Sequence, residues 1–208
     1  MTKLTLLMPG LRPDPDPYVS DADRLLDVLE TDWRAISRTG PIPRHSDIDP
    51  RALHAALPHA FVAARTAGGA LRIRVAGQAL HDLLQFDPRG MSVTCFFRDR
   101  SASTMLAMFD DMLSTPAILG VALTASRGIA RRSITARLLA LPLRDTQGRV
   151  TRLMGAIVTD RPVSLGGVRF DLNETAPIRH DVLGHAFPDP APPKPITGFR
   201  PRLVVNNT

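Results

Sequence analysis

The stretch LRIRVAGQALHDLLQFDPRGMSVTCFF, residues 71–97, decides how the chain is read. Leu71, Ile73 and Val75 alternate with Arg72 and Arg74, so the first six residues predict a strand with one face buried and one wet. Gly77 ends that strand, residues 78–84 predict a short helix, and Asp87-Pro88-Arg89-Gly90 a turn. Residues 91–97 are small or apolar and carry the lone cysteine, Cys95. Strand, short helices and an apolar loop in that order belong to a soluble α+β domain.

Upstream, residues 60–66 read as a second strand, joined to the first through Gly68-Gly69, a hairpin signal. Before it lies RHSDIDPRALHAAL, residues 44–57, which gathers Asp47, Asp49, His45 and His54. Asp49-Pro50 fits a helix cap followed by proline at the first helical position, and Ile48 and Leu53 are spaced as a hydrophobic staple. Nothing in the spacing makes the carboxylates and imidazoles converge on a metal. The stretch is read as the start of a helix. Farther back, Ser20 with Asp23 three residues on caps an amphipathic helix of about five turns. Its apolar side holds Ala22, Leu25, Leu26, Leu29, Trp33 and Ile36. Pro13-Asp14-Pro15-Asp16-Pro17, before it, is read as extended.

Downstream, Ser101 is placed to cap a helix bearing Met105, Met108, Phe109 and Met112 on one stripe. Residues 117–126, 133–144 and 149–159 supply three longer strands, the last two joined at Asp145-Thr146-Gln147-Gly148. Arg137 sits mid-strand and is read as pointing outward between inward Ala136 and Leu138. After Asp160 the pattern decays toward a proline-rich, extended tail.

Bulk composition narrows the function. With 208 residues, 44% hydrophobic and 22% charged, the chain holds one domain with a proper core plus extensions. The net charge of +6 comes almost wholly from scattered arginines, with Lys only at positions 3 and 194. One Trp, one Tyr and eight Phe leave no aromatics interleaved with those arginines, as single-strand readers need, so nucleic-acid binding is not expected. A single cysteine allows neither an internal disulfide nor a cysteine-based zinc cluster. No apolar run approaches the ~20 residues of a membrane span, and the first residues make no convincing signal peptide. A cytoplasmic protein is expected. No nucleophile elbow, HExxH or P-loop appears, and the strand cores hold no carboxylate that an apolar pocket could perturb. No catalytic residue and no metal ligand is therefore assigned, and an enzyme is not expected.

The order helix, two strands, short helices, longer helix, three strands resembles that of a PAS domain. At residue level it is similar to the PAS_5 type found in alphaproteobacteria. The segments PRHSDIDPRAL, LRIRVAGQALHDLLQFDPRGMSVTCFF, PAILGVALTASRG and ARLLALPLRDTQGRVTRLMGAIV carry the likeness, over about residues 25–160. The resemblance implies a five-stranded antiparallel sheet with helices on one face, to which the N-terminal amphipathic helix is added. It divides the chain into an extended segment 1–19, a PAS domain with its leading helix at 20–160, and a proline-rich extension at 161–208.

The resemblance further implies a sensory or regulatory module that binds a small molecule or a partner protein and signals in trans. The signalling protein and any cofactor stay unidentified. The expected pocket residues are His81, Phe86, Cys95, Phe96, Met105, Met108, Phe109 and Met112. Of these His81 is the candidate axial ligand for haem, whereas the surroundings of Cys95 do not match the photosensory flavin motif. Leu25, Leu26, Leu29, Trp33 and Ile36 form the expected signalling face, which either docks on the sheet or makes a homodimer. Two rival readings stand beside this one: a ligand-free interaction scaffold, and behind it a small α+β enzyme.

Overall fold

The computed structural model of the chain describes residues 20–36, 40, 42–126, 133–163 and 167–184; the proline-rich stretches at 13–17 and beyond 184 lie outside them. Helix α1, Asp21–Ile36, starts where Ser20 Oγ accepts the Asp23 N–H at 3.1 Å and donates to the Asp23 carboxylate at 2.7 Å. The 44–57 stretch then forms a 3₁₀ run, Pro50–His59, instead of an α-helix. Asp49 Oδ1 accepts the Arg51 N–H at 2.9 Å, and Pro58 near the end removes a donor and crowds the preceding turn, which an α-helical interior does not tolerate.

Strands β1 (Ala60–Arg65) and β2 (Leu71–Ala76) form the first hairpin, followed by α2 (Gln78–Leu84), a 3₁₀ turn at Val93–Phe96 and α3 (Asp99–Ser114). Strands β3 (Ala117–Ala125), β4 (Ile134–Arg144) and β5 (Val150–Thr159) complete an antiparallel sheet of order β2-β1-β5-β4-β3. Two short strands, β6 (Asp171–Leu172) and β7 (Arg179–Val182), pair with the outer edge of β3 and extend the five expected strands to seven among the described residues.

Both faces of the sheet are covered, and the sequence of β4 shows why. From Leu138 to Leu143 every residue is buried. Leu138 and Ala140 join α2 and α3 in an inner core; Leu139, Leu141 and Leu143 join α1 in an outer one. A continuous apolar run in an antiparallel strand demands cover on both sides. Pro142 is tolerated because β3 pairs with β4 only as far as Ala140, leaving one edge of β4 free there.

Beyond residue 160 the chain returns to pack on the domain. Phe170 is 0% exposed, its N–H donates to the Phe96 carbonyl at 2.9 Å, and the Arg98 N–H donates to its own carbonyl at 2.8 Å. Val168, Phe170 and Leu172 alternate with Arg169 and Asp171, a period-two signal too short to stand out in sequence.

Candidate functional site

The inner core is where a PAS-like pocket was expected. Rings of Phe61, Phe96, Phe97 and Phe109 run through it, with centroids 5.1, 6.4 and 6.2 Å apart in succession. Met105 and Met112 flank them, fully buried on the α3 face. Phe61 crosses the sheet because Gly155 lies beneath it: a Cβ at that position would sit 2.5 Å from the ring. Of the eight expected pocket residues, Cys95, Phe96, Met105, Phe109 and Met112 belong to this core. Phe86 and Met108 are half-buried against its rim. The buried stripe of α3 centres on Met105, Phe109, Met112 and Leu113, and Met108 falls one position off it.

His81 does not join them. Its Nε2 lies 3.8 Å from Asp87 Oδ1, and Asp87 is held down to about 2 chiefly by its hydrogen bonds from Arg89. The imidazole stands beside the Asp87–Arg89 pair and is not among the residues of the inner core. Burial raises the Cys95 thiol to about 11, so it stays neutral and unreactive at physiological pH.

Buried polar side chains lie at the rims. Asp171 is hydrogen-bonded by Arg100, which with the charge of Arg98 holds its carboxyl below the usual range against its own desolvation. Ser101 Oγ accepts the Leu172 N–H at 3.0 Å, tying the same segment to the start of α3. This carboxylate is an ion-pair partner, not a neutral acid in an apolar pocket.

On the outer face, Leu26, Leu29 and Trp33 of α1 pack against Leu139, Leu141, Met154, Ala156 and Val158. Leu29 is 0% and Trp33 1% exposed, and the Trp33 Nε1–H donates to the Pro142 carbonyl at 3.2 Å. Leu25 is half-buried against the same cluster and Ile36 half-buried at the helix end. In the structure this face docks on the chain's own sheet. Arg137 points outward as expected and pairs with Asp23 of α1 at 3.2 Å.

Sequence reasoning missed Glu30. It is the buried carboxylate of α1, gripped by Arg179 of β7 through two contacts at 2.6 and 2.9 Å and by Arg34 at 2.8 Å. Arg179, then Arg34, holds its carboxyl below the usual range despite desolvation. An acid amid the helix's exposed charges gives no local sign that a strand 149 residues away completes it.

Comparison with known proteins accords with this architecture. A family model described as a PAS domain, of the PAS_5 type, matches residues 24–158. Among solved structures, a light-oxygen-voltage domain studied with a flavin analogue is 17% identical, covering 52% of this chain and 82% of its own, at a TM-score of 0.42. The light state of the blue-light photoreceptor Aureochrome1 LOV is 13% identical, covering 52% and 85%, at 0.39. An RNA-binding light-oxygen-voltage receptor is 15% identical, covering 73% of this chain and 37% of its own, at 0.39; the RNA binding is a property of that receptor. No curated protein matches. No helix among the described residues is long and apolar enough to cross a membrane. The chain belongs to the PAS domain family.

Proposed function

We propose that this PAS domain is a cytoplasmic regulatory module, without catalysis of its own, that signals in trans by releasing α1 from the outer face of its sheet to a partner protein. The observation that carries the reading is the seal itself: Leu26, Leu29 and Trp33 cover the apolar outer face of the sheet, with Ile42, Leu53 and Ala56 packed beside them. Burying each leucine contributes roughly 1.5–3 kcal/mol, and the indole no less. Against that stands the cost of ordering the helix. The balance leaves α1 docked when alone and within reach of a partner offering comparable apolar surface. A partner shifts α1 only by binding the released arrangement more tightly than the docked one.

The fully buried phenylalanine ladder supports a protein-borne signal over a bound small molecule. A second reading, an apolar ligand in the inner core, draws on Met105 and Met112, whose unbranched side chains can repack around a guest. Native mass spectrometry of the freshly purified chain, with an absorption spectrum of the same sample, separates the two. The partner reading expects the bare polypeptide mass and no visible band; a stoichiometric added mass overturns it in favour of the ligand sensor.

A further inference from the structure

Strand β7 is four residues long, yet it touches helices on opposite faces of the sheet. Its register against β3 sets Arg179 opposite Gly120 and His180 opposite Leu119. Gly120 pairs in turn with Leu139 of the outer core, and Leu119 with Ala140 of the inner core. Successive side chains of a strand point to opposite faces. Arg179 therefore reaches over the outer face to Glu30 of α1, while His180 reaches over the inner face to Asp111 of α3, with Nε2 and Oδ2 3.2 Å apart. Gly120 makes the outer reach close: a Cβ there would lie 3.3 Å from the Arg179 Cβ and 3.5 Å from its Cδ. The segment leading to β7 is fixed at the other end of α3 by Asp171 and Arg100.

We infer that β7 is a two-sided tie coupling α3 to α1, so that the grip of Arg179 on Glu30 depends on the seating of His180 on Asp111. The inference rests on the reading of α1 as a releasable cover and adds its regulation: a displacement of α3 slackens β7 and loosens α1. Between α3 and α1 only β7 needs to move, because the two contacts belong to adjacent residues of one strand.

Hydrogen exchange with mass spectrometry on the full chain tests it. In the wild type, peptides of α1 exchange faster than those of β4 beneath them. Arg179→Gln raises α1 exchange by about two- to fivefold, the range of a partly exposed ion pair, and His180→Gln raises it in the same direction. His180→Gln adds nothing in the Arg179→Gln background, since it acts only through that arginine. Arg65→Gln, which removes the separate pair between β1 and Asp110 of α3, leaves α1 unchanged. If α1 opens on its own and His180→Gln is silent, or the two substitutions add, the tie is wrong and the cover survives. If wild-type α1 exchanges only with the whole domain, at the rate of β4, the cover fails and the tie with it.

Discussion

Gly155→Ala puts a methyl group into the one gap through which Phe61 crosses the inner face. The added Cβ would lie 2.5 Å from Cζ and 2.7 Å from Cε1 of the ring, and 3.1 Å from the Leu139 carbonyl oxygen. The ring has little room to retreat, because Phe96 stands 5.1 Å away, centroid to centroid, and is itself fully buried. Overpacking of this kind costs about 1–3 kcal/mol. For a domain of this size each kcal/mol lowers the melting temperature by about 2–4 °C, so calorimetry should find a drop of about 2–12 °C. Phe61→Leu in the same background shortens the clashing side chain, and the double-mutant cycle should return a favourable coupling of at least about 0.5 kcal/mol. An unchanged melting temperature, or a cycle with no coupling, would show slack in the inner core. The ligand reading would then displace the partner reading.

Other outcomes follow from the same geometry. Leu29→Ala removes a fully buried side chain under α1, at a cost of about 2–5 kcal/mol. It should raise α1 exchange by at least about thirtyfold on the scale of 1.4 kcal/mol per decade, while far-UV circular dichroism keeps the sheet signal. Asp171 and Glu30 have depressed folded pKa values. Their contribution is present in full above the unfolded carboxylate pKa near ~4 and is lost as the pH falls through the folded values. Urea unfolding should therefore show stability dropping below about pH 4, and Asp171→Asn, which forfeits its share already at neutral pH, should flatten that slope. Cys95, buried and raised to about 11, should resist a thiol reagent in the native state at about pH 8 and react once urea unfolds the chain.

Much of the fold was legible because its elements announce themselves locally. The Leu71-Arg72-Ile73-Arg74 alternation gave β2, although Val75 at its end is exposed, and Ser20 with Asp23 gave the start of α1. The stripe on α3 gave three of the inner-core positions, Met105, Phe109 and Met112, with Met108 falling at the rim. What stayed hidden depends on distant pairing. Residues 168–172 carry only three apolar side chains, and their strand character exists because β3 offers an open edge. β7 has no inward apolar pattern at all; its four residues are exposed and are placed by backbone bonds to β3 and by Glu30 and Asp111. The placement of His81 was equally beyond a facing argument, since the group it stands nearest, Asp87 at 3.8 Å, lies in the following turn. The dual cover of the sheet was written in the unbroken apolar run of β4, a signal that tells how many faces are buried but not by which helix.

Trp33 is the chain's only tryptophan, and it sits in the seam between α1 and the sheet. Its fluorescence and accessibility to acrylamide report docking of α1 without any substitution. Followed through a urea titration alongside circular dichroism of the sheet, Trp33 should become exposed at lower urea than the sheet unfolds, as a separately releasable helix requires. Two transitions that coincide would make α1 an inseparable part of the core and would contradict signalling by its release.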